Sequence, residues 1–130
     1  MSFNPYVIGI SGGSGIGKTV LSNSLAEFLG LSQCLILSTD DLHRWKRHDP
    51  HWKNITHLNP VANNIEEGVD HLRKLKNGDT IQRKIYNHET GNHDDPIQIN
   101  PERFIIQEGL HAFYGNGMSE LCDLKIFNNK

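Results

Sequence analysis

The chain has 130 residues, 36% of them hydrophobic and 22% charged, which fits one globular domain over residues 1–130 with a real core and excludes two. Its formal charge of −2 excludes a global positive field for nucleic acid or an anionic membrane. No run approaches the roughly 18 apolar residues of a membrane span, no signal-peptide pattern opens the chain, and Cys34 and Cys122 form no C-x-x-C. The expectation is a cytoplasmic protein with two reduced cysteines.

Residues 6–10 form a short apolar run, the habit of a strand buried on both faces in a parallel sheet. A glycine-rich loop follows and then a helical pattern, with Val20, Leu21, Leu25, Phe28 and Leu29 as its apolar stripe and Gly30 as its stop. Residues 34–37 read as a second buried strand, which makes a βαβ unit. Residues 39–58 have neither period and hold Trp45 and Trp52, so they read as a long functional loop.

Asn59-Pro60 suggests an N-cap and first helical position, followed by the stripe Ile65, Val69, Leu72 and Leu75. Glu66 and Glu67 come early in that helix and Arg73, Lys74 and Lys76 late, which suits the helix dipole, and Asn77-Gly78 closes it. Residues 81–86, a turn at Gly91 and residues 97–99 read as a β-hairpin. Residues 104–106 form a third core strand that runs into Gln107-Glu108-Gly109. A short helix over 118–122 and a last strand over 124–127 complete the chain.

Gly12-Gly13-Ser14-Gly15-Ile16-Gly17-Lys18-Thr19 matches the P-loop pattern in full, between a predicted strand and a predicted helix. Glycines let backbone N–H groups approach phosphate oxygens, and the helix N-terminus adds partial positive charge. Lys18 is placed to reach the β- and γ-phosphates and the Thr19 hydroxyl to ligate Mg²⁺, so the expected cofactors are ATP and Mg²⁺. The fold class expected is α/β, a P-loop NTPase-type three-layer αβα with a mostly parallel sheet and a small β-hairpin insertion. No N-K-x-D guanine motif is present, which speaks against a GTPase.

Phosphoryl transfer also needs a carboxylate to take the acceptor proton and another near the metal. Ligands of open α/β sheets bind outside the carboxyl ends of strands. Asp40 and Asp41 follow the second strand and Glu108 the third.

Four segments in order resemble the phosphoribulokinase/uridine kinase family: the run from Gly9 through Lys18-Thr19, Ser38-Thr39-Asp40-Asp41-Leu42-His43-Arg44, Ile85-Tyr86-Asn87-His88-Glu89-Thr90-Gly91, and Gln107-Glu108-Gly109-Leu110-His111-Ala112-Phe113-Tyr114. The resemblance implies a P-loop small-molecule kinase in which Asp40 matches the catalytic base and Glu108 the acidic metal-site residue. It places His43 and Arg47 at sugar-phosphate contacts and Tyr86 and His88 in the segment lining the acceptor pocket. Asp41 joins them as an acceptor contact. It also implies an arginine-bearing lid beyond the strand matching residues 124–127. The sequence stops at Lys130, so a nucleotide-binding module or non-catalytic kinase fragment stands as the alternative expectation.

The resemblance implies a sugar phosphate or a nucleoside as the expected acceptor. Residues 58–64 and 86–91 resemble the phosphoribulokinase branch, and Asn59-Pro60-Val61-Ala62-Asn63-Asn64 lacks the acids that uridine kinases usually carry there. Arg44, Lys46, Arg47 and Lys53 against Asp49 alone make the 43–57 loop basic, which suits an anionic acceptor. The expected partner is this small molecule, with no nucleic acid and no membrane. His43, His48, His51 and His57 match no familiar zinc spacing.

Overall fold

The computed structural model describes residues 4–12, 16–42, 64–87, 89–109, 112 and 116–128. Its frame is a parallel sheet of β1 (Tyr6–Gly12), β2 (Cys34–Ser38), β7 (Phe104–Gly109) and β8 (Leu124–Asn128), in the order β2-β7-β1-β8. Val7, Ile10, Ile105 and Ile106 are fully buried, because helices cover both faces of the sheet. Alternate residues of each strand point to opposite faces. On one face Ile8, Ile10 and Ile106 pack against α1 (Ile16–Leu29) at Leu21, Leu25, Ala26 and Leu29. On the other, Val7, Leu37 and Ile105 meet Leu72 and Leu75 of α2 (Ile65–Lys76) and Met118 of α3 (Asn116–Leu121). The result is the expected three-layer αβα arrangement.

Three details differ from the sequence reading. Val20 and Phe28 are 55% and 87% exposed, so they are not part of the buried stripe of α1. The buried side of that helix follows Leu21, Leu25 and Leu29 at i, i+4 and i+8, with Ser22 and Ala26 beside them, which turns Val20 and Phe28 toward water.

The N-cap of α2 is Asn64 rather than Asn59. Its Oδ1 accepts the Glu67 N–H at 3.3 Å and its Nδ2 donates to Glu67 Oε2 at 2.8 Å, a reciprocal pairing close to a capping box. The first βαβ unit is also split. β1 and β2 are not neighbours, because β7 lies between them and pairs with both.

The hairpin forms as two short ladders. β3 (Ile81–Arg83) pairs with β6 (Ile97–Ile99), and β4 (Tyr86–Asn87) pairs with β5 (Asn92–His93). At the amino-terminal edge of the sheet Asp123 ties three elements together. Its Oδ2 accepts the Val7 N–H at 2.8 Å, its N–H donates to Val7 O at 2.8 Å, and Lys76 Nζ reaches its Oδ1 at 3.0 Å. Burial acts upward on this carboxyl, but the Val7 amide and Lys76 outweigh it and hold it below its ordinary value. Among the described residues no helix is long and apolar enough to cross a membrane.

Candidate active site

The parallel register brings the chemistry-bearing segments to one edge. Ser11 stands opposite Gly109 and Gly12 opposite Asn128, while Glu108 is flanked by Ile10 on one side and Ser38 on the other. Three strands thus deliver the start of the glycine loop, the residue before the Asp40-Asp41 turn and Glu108 to adjacent carboxyl ends, where open α/β sheets bind ligands. α1 begins at Ile16, immediately after the loop, and carries no acidic residue in its first turn. Its partial positive N-terminus is therefore not neutralised by its own side chains, which fits an anionic phosphate group. Gly12 closes β1. Gly13, Ser14 and Gly15 lie outside the described residues. Ile16, Gly17, Lys18 and Thr19 are described as α1 backbone only.

After β2 the chain makes a 3₁₀ turn, Thr39–Leu42. Two close approaches fix it. Gly109 has φ +145°, and a Cβ there would collide with Thr39 Oγ1 and lie 3.0 Å from Thr39 Cβ and 3.2 Å from its backbone nitrogen. Only glycine lets the end of β7 lie this close under the turn. On the other side Leu42, 2% exposed, packs onto α2 at Gly68, where an added Cβ would meet Leu42 Cδ1 at 2.6 Å. The Asn64 N–H donates to Leu42 O at 2.6 Å. Asp40, the expected base, sits in this turn and is described by its backbone alone.

The sequence reading puts Asp41 among the acceptor contacts, and the structure turns its carboxylate inward. Its side chain is 6% exposed. Oδ1 accepts the Tyr86 N–H at 2.8 Å, and Oδ2 accepts from Arg83 Nε at 3.2 Å. Its carbonyl accepts from His93 Nε2 at 2.9 Å. Arg83, 1% exposed at the side chain, also donates from Nη2 to Ser38 O at 2.7 Å. Burial pulls the guanidinium below its ordinary pKa while Asp41 acts upward, and it remains a cation.

Arg83 Nη1 lies 3.4 Å from His71 Nδ1, and His71 Nε2 lies 3.6 Å from Glu67 Oε1. Burial and the facing Arg83 lower the His71 pKa, against the opposite pull of Glu67 and Asp70. A neutral ring protonated at Nε2 accepts from Arg83 and faces Glu67. Tyr86 is also buried, at 6%, its ring edge-on to His93 with centroids 5.5 Å apart. His43, Arg47 and His88 lie outside the described residues.

Sequence reasoning missed Arg83 and His71. The available signal was the in-out alternation of β3, which puts Arg83 on the same side as the buried Ile81. Glu108 stands at the strand end where the reading placed it. Among the described residues no group of three or more His, Cys, Asp or Glu converges as a metal cage. Mg²⁺ in phosphoryl-transfer sites is usually held by one or two carboxylates with substrate phosphates and water, a donor set that needs no such cage.

The parallel sheet between two layers of helices, with the glycine-rich segment between β1 and α1, is the αβα fold of the P-loop NTPase class. Phosphoribulokinase from Rhodobacter spheroides shares the fold, with a TM-score of 0.80 over 95% of this chain and 50% of that one, at 19% identity. The chain belongs to the phosphoribulokinase / uridine kinase family, whose model matches residues 7–129. It is 34% identical to phosphoribulokinase from Synechocystis sp. over 93% of this chain, and 28% identical to uridine kinase from Geobacillus sp. over 98% of it. The matched part is 36% of the former protein's length and 62% of the latter's.

Proposed function

We propose that the protein transfers the γ-phosphate of ATP to a hydroxyl of a small sugar phosphate or nucleoside. The observation that carries this reading is the gathering of the glycine loop, the Thr39–Leu42 turn and Glu108 at adjacent carboxyl ends of β1, β2 and β7. Residues 12–19 hold the phosphates through backbone N–H groups and the α1 N-terminus, and Lys18 neutralises their charge. Asp40 orients the acceptor hydroxyl and takes its proton. Thr19 and Glu108 are the residues that would hold Mg²⁺, which would neutralise phosphate charge during transfer. Catalysis then rests mainly on positioning and on electrostatic stabilisation of the transferring group.

An anionic acceptor is favoured by the basic 43–57 segment and by the greater identity to a phosphoribulokinase than to a uridine kinase. His43 and Arg47 are the residues of that segment proposed to meet the acceptor phosphate, and Tyr86 and His88 to border the acceptor. The test is MgATP consumption with a panel of pentose phosphates and nucleosides. Turnover with a pentose phosphate supports the reading. Tight MgATP binding with no turnover for any acceptor would make the chain a nucleotide-binding module.

A further inference from the structure

Arg83 has no place in the chemistry just proposed, yet it is the largest fully buried side chain among the described residues. A buried guanidinium is retained only with well-placed partners, so what it connects indicates what it does. It reaches three elements at once: Asp41 in the 3₁₀ turn, the Ser38 carbonyl at the end of β2, and His71 on α2. Asp41 uses every acceptor it has toward the hairpin region. One oxygen takes the Tyr86 amide of β4, the other takes Arg83 at the end of β3, and its carbonyl takes His93 of β5.

We propose that Arg83 is a positioning residue for phosphoryl transfer that acts through Asp41, locking the β4–β5 hairpin and the Asp40-bearing turn into one rigid unit. This rests on the kinase reading above. One peptide unit separates Asp41 from Asp40, so any rotation of the Asp41 backbone is passed to the base. The distance from the base to the hairpin is the distance between the proton acceptor and the wall against which the acceptor lies. Misplacement by about 1 Å can cost on the order of a hundredfold in rate.

The geometry also explains why the residue is arginine. Nε and the two Nη atoms of one planar fork meet partners in three directions, and an ammonium, being a single compact charge, cannot do the same. Arg83 is sealed from solvent, so it influences the acceptor only through its neighbours.

The test compares wild type, Arg83→Lys and Asp41→Asn by hydrogen–deuterium exchange over residues 38–42 and 84–94, with β7 (104–109) as the control. The same proteins are measured for MgATP affinity and for kcat and acceptor KM. Expected in both variants is a rise of about tenfold or more in exchange in the two segments together, with β7 protection unchanged. MgATP affinity stays within about twofold, and kcat falls by roughly ten- to a hundredfold.

Asp41→Asn keeps size and shape, so it carries the test if Arg83→Lys fails to fold. Wild-type exchange in either segment of the folded variants would overturn the proposal. So would equal loss of protection in β7, which would reduce Arg83 to an ordinary core contact. Failure of the kinase reading shows differently: wild type turns over no acceptor, while the exchange comparison still decides whether the brace exists. Conversely, transfer that depends on Asp40 with unchanged exchange in the variants removes the brace and leaves the kinase.

Discussion

Gly109→Ala is the substitution whose effect the structure specifies best. Two costs add. At φ +145° an alanine occupies a region essentially reserved for glycine, at about 1–3 kcal/mol. Its Cβ also collides with Thr39 Oγ1 and crowds the Thr39 Cβ at 3.0 Å, with Thr39 itself only 3% exposed. Overpacking of this kind costs about 1–3 kcal/mol. The expected loss is therefore about 4 kcal/mol, a large part of the roughly 5–15 kcal/mol that holds a domain folded.

The assay is urea unfolding of wild type, Gly109→Ala, Thr39→Ala and the double variant. Removing the Thr39 hydroxyl and methyl relieves the collision but neither the backbone strain nor the 3.2 Å approach to the Thr39 nitrogen. The double variant should recover about 1–2 kcal/mol relative to additivity. A Gly109→Ala protein within about 0.5 kcal/mol of wild type, or strict additivity in the cycle, would refute the argued contact.

Asn64→Ala removes the acceptor for the Glu67 N–H at the start of α2, with an expected loss of about 1 kcal/mol in the same unfolding assay. His71 gives a pH prediction. Its folded-state pKa lies below the ordinary 6.5, so between the two values the unfolded chain binds more protons. The stability is complete above pH 6.5 and declines as pH falls through the folded value. Urea midpoints taken from about pH 7.5 to about pH 5 should show this decline, and it should shrink in His71→Gln.

The parallel sheet, the glycine loop between β1 and α1, and the strand-end position of Glu108 were all legible, because each is written in a contiguous run of residues. What was not legible is set by distant partners. Nothing local to residues 6–12 or 34–38 announces that β7 comes between them, because strand neighbours are chosen by how crossovers pack. Val20 and Phe28 look like core by composition, yet among the described side chains it is Leu21, Leu25, Ala26 and Leu29 that keep one face of α1 on the sheet. Asp41 looks like a second acid beside Asp40. Its inward turn depends on Arg83, which is 42 residues away. The Asn64 cap, by contrast, could have been found in the sequence, since Asn64 and Glu67 have the spacing of a capping box.

The central claim, that this edge performs phosphoryl transfer with Asp40 as base, is tested most directly by comparing wild type with Asp40→Asn for ATP-dependent phosphorylation of the acceptor panel, alongside MgATP binding. Removal of a general base predicts a loss on the order of 10²–10⁴-fold in turnover, with MgATP affinity retained. Turnover left intact in Asp40→Asn would contradict it.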